Sequence, residues 1–350
     1  MERSRQMASS RGSNVAIVGL GRMGRRHVQA ARSAGLEVGA ICDVSPDALR
    51  DTEREHAIAA DRHFTSLRDL LTRAVPDVLI VATTAPTHAE YTCAAAEAGV
   101  KAILCEKPMA VSLAECDRMR QACQKNGAKL AINHQMRFMD QYVTPKAILE
   151  SEAFGGLTSV TVVGGNFGLS MNALHYFEMF RFMTGEAPRM VTAWFADDVV
   201  PNPRGPQFQD RAGTVRLETS SGRRFYLDCW ADQGHGMQVV YGARYGQLFV
   251  DELTGECRST VREEQYRALP TTRYGMPAVL TSATIAPADV IGPSAAVLRA
   301  LVEGADYPDG DAGRLAVAVL TAAYLSHERD HVTIDLDRDQ LPVDRVFPWA

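Results

Sequence analysis

Val15-Ala16-Ile17-Val18-Gly19-Leu20-Gly21-Arg22-Met23-Gly24 joins four apolar residues to three glycines in the order G-x-G-x-x-G. The apolar run reads as a short strand. The periodicity from Arg22 to Ala34 reads as a helix stopped by Gly35. In a strand–turn–helix of this kind the first glycine permits the tight turn. The second lets a pyrophosphate approach the backbone, and the third lets the helix pack on the strand. Phosphates placed there meet the unpaired amides at the positive end of the helix. Glycines also serve ordinary turns, so the context decides. A second apolar run, Val38–Cys42, ends at Asp43, nineteen residues past Gly24. An acid at that place accepts hydrogen bonds from ribose hydroxyls and repels a 2′-phosphate. The expected ligand is NAD, with NADP disfavoured, held by Gly19, Gly21, Arg22, Met23, Gly24 and Asp43.

Outward from this turn, apolar runs and helical patterns alternate. Helices are expected at Asp47–His56, Ser66–Arg73, Thr87–Ala98 and Ser112–Lys125. Buried strands are expected at Val78–Ala82, Ala102–Cys105 and Lys129–Ile132. Strands apolar on both faces and separated by helices predict a parallel sheet covered on both sides. The rest of the chain changes character. Strand-like runs at Thr158–Val163, Met190–Phe195, Gly213–Leu217, Arg224–Trp230, Gln238–Tyr241 and Gln247–Val250 predict a mainly antiparallel sheet. Helices interrupt it at Val143–Ser151, Ala173–Met183, Ser294–Val302 and Gly313–Ser326, and Val332–Leu336 reads as a closing strand. The fold class is therefore α/β, a doubly wound parallel sheet followed by an α+β domain. The expected division is a disordered tail at 1–13, a dinucleotide-binding domain at 14–132 and a substrate and oligomerisation domain at 133–350.

Composition narrows the function. The 350 residues are 46% hydrophobic and 23% charged, with a net charge of −5, so neither a disordered chain nor the basic surface of a nucleic-acid binder is expected. Seven cysteines without a CxxC spacing argue against a disulfide framework or structural zinc, and for a reducing, cytoplasmic setting. The longest apolar stretch, Leu315–Leu325, is too short to span a bilayer. The chain shows neither G-x-S-x-G nor H-E-x-x-H, and no metal is expected.

Leu104-Cys105-Glu106-Lys107-Pro108 closes a buried strand. Ligands of open parallel sheets bind beyond the carboxyl ends of the strands, which aims Lys107 at the expected nicotinamide. The glycine turn, Asp43, Ala82-Thr83-Thr84-Ala85-Pro86-Thr87-His88 and Glu106-Lys107-Pro108, followed by a β-rich half, resemble the glucose–fructose oxidoreductase / inositol dehydrogenase / rhizopine-catabolism (Gfo/Idh/MocA) family, from Asn14 onward. The resemblance implies a Rossmann domain and an NAD(P)-dependent oxidoreductase. It also implies a catalytic Lys107, a cofactor site that includes Met23, Thr83, His88 and Glu106, and an Arg137 close to the substrate. A homodimer or homotetramer follows from it too.

That family places an aspartate and a histidine four apart on a helix of the second domain. Here the stretch is Ser170-Met171-Asn172-Ala173-Leu174-His175-Tyr176-Phe177-Glu178. His175 fits the histidine, but Met171 stands at the aspartate position and Asn172 is the nearest polar partner. Asparagine exchanges no proton. The acid–base role therefore falls on His175 and Lys107, with Asn172 and Tyr176 expected to contact substrate and Glu178 to orient a neighbour. Histidine titrates near neutrality and suits the hydroxyl proton that leaves with a hydride. A position near a helix start would favour its neutral form. The expectation is an enzyme moving a hydride between nicotinamide and a secondary hydroxyl of a sugar, amino sugar or cyclitol. An NAD-requiring glycosidase and a non-catalytic NAD sensor are the alternatives.

Overall fold

The structure, a computed structural model, describes residues 13–165, 168–270 and 277–350. Of the expected tail only Ser13 falls inside these; the rest lies outside the described residues. The chain divides into two compact units. Among the described residues the first comprises 13–110, Ala114–Gln135 and Val290–Gly313; the second comprises Val111–Leu113 and the described parts of Met136–Asp289 and Arg314–Ala350.

The first unit alternates strand and helix in chain order: β1 (Asn14–Val18), α1 (Arg22–Ser33), β2 (Glu37–Cys42), α2 (Pro46–His56), β3 (His63–Phe64), α3 (Leu67–Arg73), β4 (Val78–Val81), α4 (His88–Glu97), β5 (Ala102–Cys105), α5 (Leu113–Asn126) and β6 (Lys129–Ile132). Six parallel strands lie in the order β3-β2-β1-β4-β5-β6. The central strands carry apolar residues on both faces because helices cover both. Val15, Ile17, Leu79, Ile80, Ile103 and Leu104 are buried. Two helix starts show their sequence cause. Ser45 accepts a hydrogen bond from the Ala48 N–H with Pro46 in the first turn, and Ser66 accepts one from the Asp69 N–H.

The remaining elements are α6 (Asp140–Leu149), β7 (Leu157–Gly165), α7 (Leu174–Thr184), β8 (Pro188–Val200), β9 (Asp210–Thr219), β10 (Arg224–Trp230), β11 (Gln238–Ala243), β12 (Gly246–Asp251), β13 (Glu256–Arg262), β14 (Ala278–Thr284), α8 (Ile291–Glu303), α9 (Gly310–Glu328) and β15 (Ile334–Asp335). Nine strands form one sheet in the order β14-β13-β12-β11-β7-β10-β9-β8-β15. Its pairs are antiparallel except β7 with β10. One face is buried through Val160, Val162, Val215, Leu217, Phe225 and Leu227, and α7 supplies Phe177 and Phe180 against Phe225 at ring-centroid distances of 6.1 and 5.4 Å. Helix α8, although it follows β14 in sequence, belongs to the first unit. It packs on α1, and the Arg299 guanidinium donates to the Ser33 carbonyl. Among the described residues no helix is long and apolar enough to cross a membrane.

Candidate functional site

Order reverses between β1 and β4 in the first unit, so the crevice beyond their carboxyl ends is the place where a doubly wound sheet binds its ligand. Gly19, directly after β1, has φ +87°, and a Cβ on it would lie 2.7 Å from the main chain of Ala82 and Thr83. A Cβ on Gly24 would lie inside the Gly19 carbonyl oxygen, at 1.8 Å. Gly21 is the opposite case: a Cβ there would meet nothing within 4 Å. The turn is closed where helix meets strand and open at the N-terminus of α1. That fits a pyrophosphate approaching the backbone. Arg22 is exposed and Met23 half-buried on the first turn of the helix.

Asp43 follows β2. One carboxylate oxygen accepts from the Leu20 N–H at 2.7 Å and the other from the Ser45 N–H at 2.8 Å. The acid expected at the ribose therefore also fixes the glycine turn. After β4, Thr83 accepts a hydrogen bond from the Thr87 hydroxyl at 2.7 Å. His88 is buried, with its ring nitrogens 2.9 Å from the Pro108 carbonyl and 3.1 Å from that of Thr83. It thus clamps the loops after β4 and β5 together.

Glu106, after β5, is 4% exposed. His27 Nε2 lies 2.7 Å from its Oε1, and the Asn133 amide donates to the same oxygen at 2.8 Å. Burial pushes this carboxyl up, but the His27 hydrogen bond and charge, the Lys107 charge and the Asn133 hydrogen bond outweigh it and bring the pKa to about 2. The Lys107 N–H donates to Glu106 Oε2 at 3.3 Å, and the half-buried Lys107 precedes Pro108 across a cis peptide bond.

In the second unit, α7 does not begin at Ala173, where the sequence pattern starts it. A π-helical turn, Leu169–Ala173, runs directly into it. The buried Asp210 of β9 caps that turn, accepting from the Ser170, Met171 and Arg211 N–H groups at 2.8–2.9 Å. His175 is consequently the seventh residue of continuous helical backbone, and a carboxylate already occupies the positive end. The helix-start argument for a neutral His175 loses its basis. Burial raises the Asp210 pKa against these hydrogen bonds. His175 is 6% exposed and Asn172 half-buried within the π turn.

Tyr176 is 4% exposed and its hydroxyl donates to Glu252 at 2.7 Å. Tyr142 donates to the other Glu252 oxygen at 2.6 Å. Burial, together with the Glu252 charge, raises both tyrosines well above their ordinary range. Glu178 is buried; Arg181 grips it through two 2.7 Å hydrogen bonds and Arg137 approaches to 3.9 Å. The Arg137 guanidinium also lies 5.1 Å from the centre of the Phe182 ring. Glu178 is thus paired with Arg181 and faces Arg137.

Residues 13–134 match the oxidoreductase family with an NAD-binding Rossmann fold, GFO_IDH_MocA. That match covers 122 of the 350 residues of this chain. Among its relatives is inositol 2-dehydrogenase of Salmonella typhimurium, 27% identical over 240 residues, 64% of this chain and 68% of the relative. D-apiose dehydrogenase of Paraburkholderia graminis is 29% identical over 51% of each chain. The fold is shared with an oxidoreductase from Agrobacterium radiobacter in complex with NAD+, L-tartaric acid and magnesium. That structure has a TM-score of 0.78 and 19% identity, covering 93% of this chain and 98% of its own. Aldose-aldose oxidoreductase of Caulobacter crescentus complexed with glycerol has a TM-score of 0.74 at 21% identity, covering 93% and 100%.

The first unit brings Gly19, Gly21, Gly24, Asp43, Thr83, His88, Glu106 and Lys107 to the carboxyl ends of β1, β2, β4 and β5. The second groups Asn172, His175 and Tyr176 on one continuous helix, with Arg137 tied to it through Glu178. Sequence reasoning missed His27, Asp210 and Glu252. The spacing of His27 from Gly24, three residues on the same helix, was a usable signal. Asp210 and Glu252 carried none, because their partners lie 39 to 110 residues away.

Proposed function

We propose that this protein is an NAD-dependent dehydrogenase that moves a hydride between nicotinamide and a secondary hydroxyl of a sugar, amino sugar or cyclitol. One observation carries the reading: the open glycine turn, Asp43 and Lys107 all stand at the carboxyl edge of one parallel sheet. The relatives named for inositol and apiose support the substrate class. NAD supplies the hydride acceptor. In the proposed site Gly21 and its neighbours receive the pyrophosphate and Asp43 accepts from the ribose, its negative charge disfavouring NADP. Lys107 orients and polarises the substrate hydroxyl, and His175 takes up its proton. Asn172 donates a hydrogen bond to a substrate oxygen. The Tyr176 hydroxyl proton is committed to Glu252, so toward substrate this residue offers its ring or accepts on the hydroxyl oxygen. We also infer a homodimer or homotetramer. The half-exposed Trp194 and Tyr226 on the sheet support it, and sedimentation measures it.

The test is a screen of sugars, amino sugars and cyclitols for reduced nicotinamide, followed by Lys107→Ala and His175→Ala on the best substrate. Each variant is expected to lose at least about a hundredfold in kcat, the usual scale of acid–base assistance, while NADH still binds. Wild-type rates in both variants overturn the roles. Sugar release without net NADH overturns the dehydrogenase in favour of an NAD-requiring glycosidase.

A further inference from the structure

His27 stands on α1 one turn beyond Gly24 and is 1% exposed, yet its Nε2 meets the Glu106 carboxylate at 2.7 Å. Its Nδ1 has no hydrogen-bond partner among the described residues. A buried imidazole–carboxylate pair is a poor way to add stability, because desolvation cancels most of the attraction and apolar side chains fill the same volume as well. Its place in the fold accounts for it better. Helix α1 carries the open glycine turn at its N-terminus, where Gly21 is the N-cap. Glu106 is the residue before Lys107, and its second oxygen receives the Lys107 N–H. Asn133, which follows β6, shares Oε1 with His27 and reaches the Ser294 hydroxyl of α8 at 3.4 Å. Three elements therefore converge on one carboxylate, and that carboxylate holds the main chain of the proposed reacting amine.

We propose that His27 is a positioning residue for Lys107: by holding the Glu106 carboxylate it joins the helix of the glycine turn to the strand end that presents the amine. This rests on the role proposed for Lys107. The titratable groups facing Glu106 are His27 from α1 and Lys107 and Cys105 from its own strand; Asn133 adds a neutral donor. With His27 in place the carboxylate stays ionised throughout the working pH range. Without it only the Lys107 charge and the Asn133 hydrogen bond oppose burial, so Glu106 takes up its proton at a higher pH than in wild type and its hold on the Lys107 backbone weakens there.

The experiment compares His27→Leu, which removes the donor, with His27→Gln, which keeps an N–H on a side chain of similar reach. The Glu106 carboxyl is titrated by NMR in protein labelled with 13C-glutamate, its signal assigned by Glu106→Gln. The pH dependence of kcat/KM is recorded on the best substrate. In His27→Leu the carboxyl is expected to titrate at least about one pH unit higher than in wild type. The ratio of its kcat/KM to wild type should fall as pH drops through that raised titration, by about tenfold for each pH unit below it. His27→Gln should restore most of both. Asn133→Leu, which removes the other donor on Oε1, should shift the carboxyl in the same direction and stands in if His27→Leu fails to fold. An unmoved carboxyl in the folded variants, or a rate loss uniform in pH, overturns the proposal. A wild-type protein inactive on every polyol overturns the proposed function instead, while the NMR titration still decides whether His27 holds Glu106.

Discussion

Two glycines three residues apart separate folding from binding. Gly24→Ala places a methyl inside the Gly19 carbonyl, so the turn must open. A stability loss of about 1–3 kcal/mol, the usual cost of overpacking, is expected together with lost NADH binding. Gly21→Ala meets no protein atom within 4 Å. It should leave the melting temperature unchanged and weaken NADH at least about tenfold, because the methyl fills the space through which phosphate reaches the amides. Thermal melts and fluorescence titrations of the pair check this; equal melting shifts in both variants would show that Gly21 is not open. Glu106 adds a pH signature. Its pKa falls from 4.5 unfolded to about 2 folded, so its contribution is present above pH 4.5 and is lost as pH drops toward 2. A shift of this size corresponds to roughly 3 kcal/mol. Glu106→Gln should show a correspondingly smaller loss of stability than wild type between pH 5 and pH 3 in urea unfolding. The raised carboxyls of Asp210 and Glu252 act in the opposite sense, their contribution fading as pH rises.

Element by element, legibility followed burial. β5, β6 and β10 stand where their apolar runs end, and α2 begins at its Ser-Pro start, because local patterning and tertiary burial agree there. β13 and β14 went unread. Glu256–Arg262 carries charge at both ends and alternates only weakly, and six of the seven residues of β14 are exposed. A strand near a sheet edge needs no apolar face, so its sequence shows none. The π turn before α7 is equally silent in sequence: its cause is Asp210, across the sheet at β9. Asp210→Ala removes an acceptor from three backbone N–H groups in a buried place. A loss of about 1–3 kcal/mol is expected, the cost of leaving such donors unpaired, with Asp210→Asn closer to wild type. Because the turn carries Asn172 and leads into His175, the alanine variant should also lower kcat more than it weakens NADH. A variant with full kcat would separate this cap from the proposed chemistry.

At the scale of the whole chain, the sequence shows where the periodicities change but not where the first unit regains a helix. α8 lies more than 150 residues beyond β6, and its apolar stripe matches any helix packed in either half. In the structure its Val297, Leu298 and Leu301 are buried, it packs on α1, and the Lys129 ammonium donates to the Leu301 carbonyl. Burial of three such side chains is worth roughly 5–9 kcal/mol. The total stability of a domain is about 5–15 kcal/mol. A fragment of residues 13–135 should therefore fail to fold cooperatively, although it contains all six strands, the glycine turn and Lys107. The same fragment joined by a flexible linker to 290–313 should regain a cooperative melt and bind NADH, since every residue proposed to hold the cofactor is then present on a covered sheet. Circular dichroism melts and NADH titrations of the two fragments decide it. A cooperative, NADH-binding 13–135 fragment would make α8 dispensable and return the domain boundary to the end of β6.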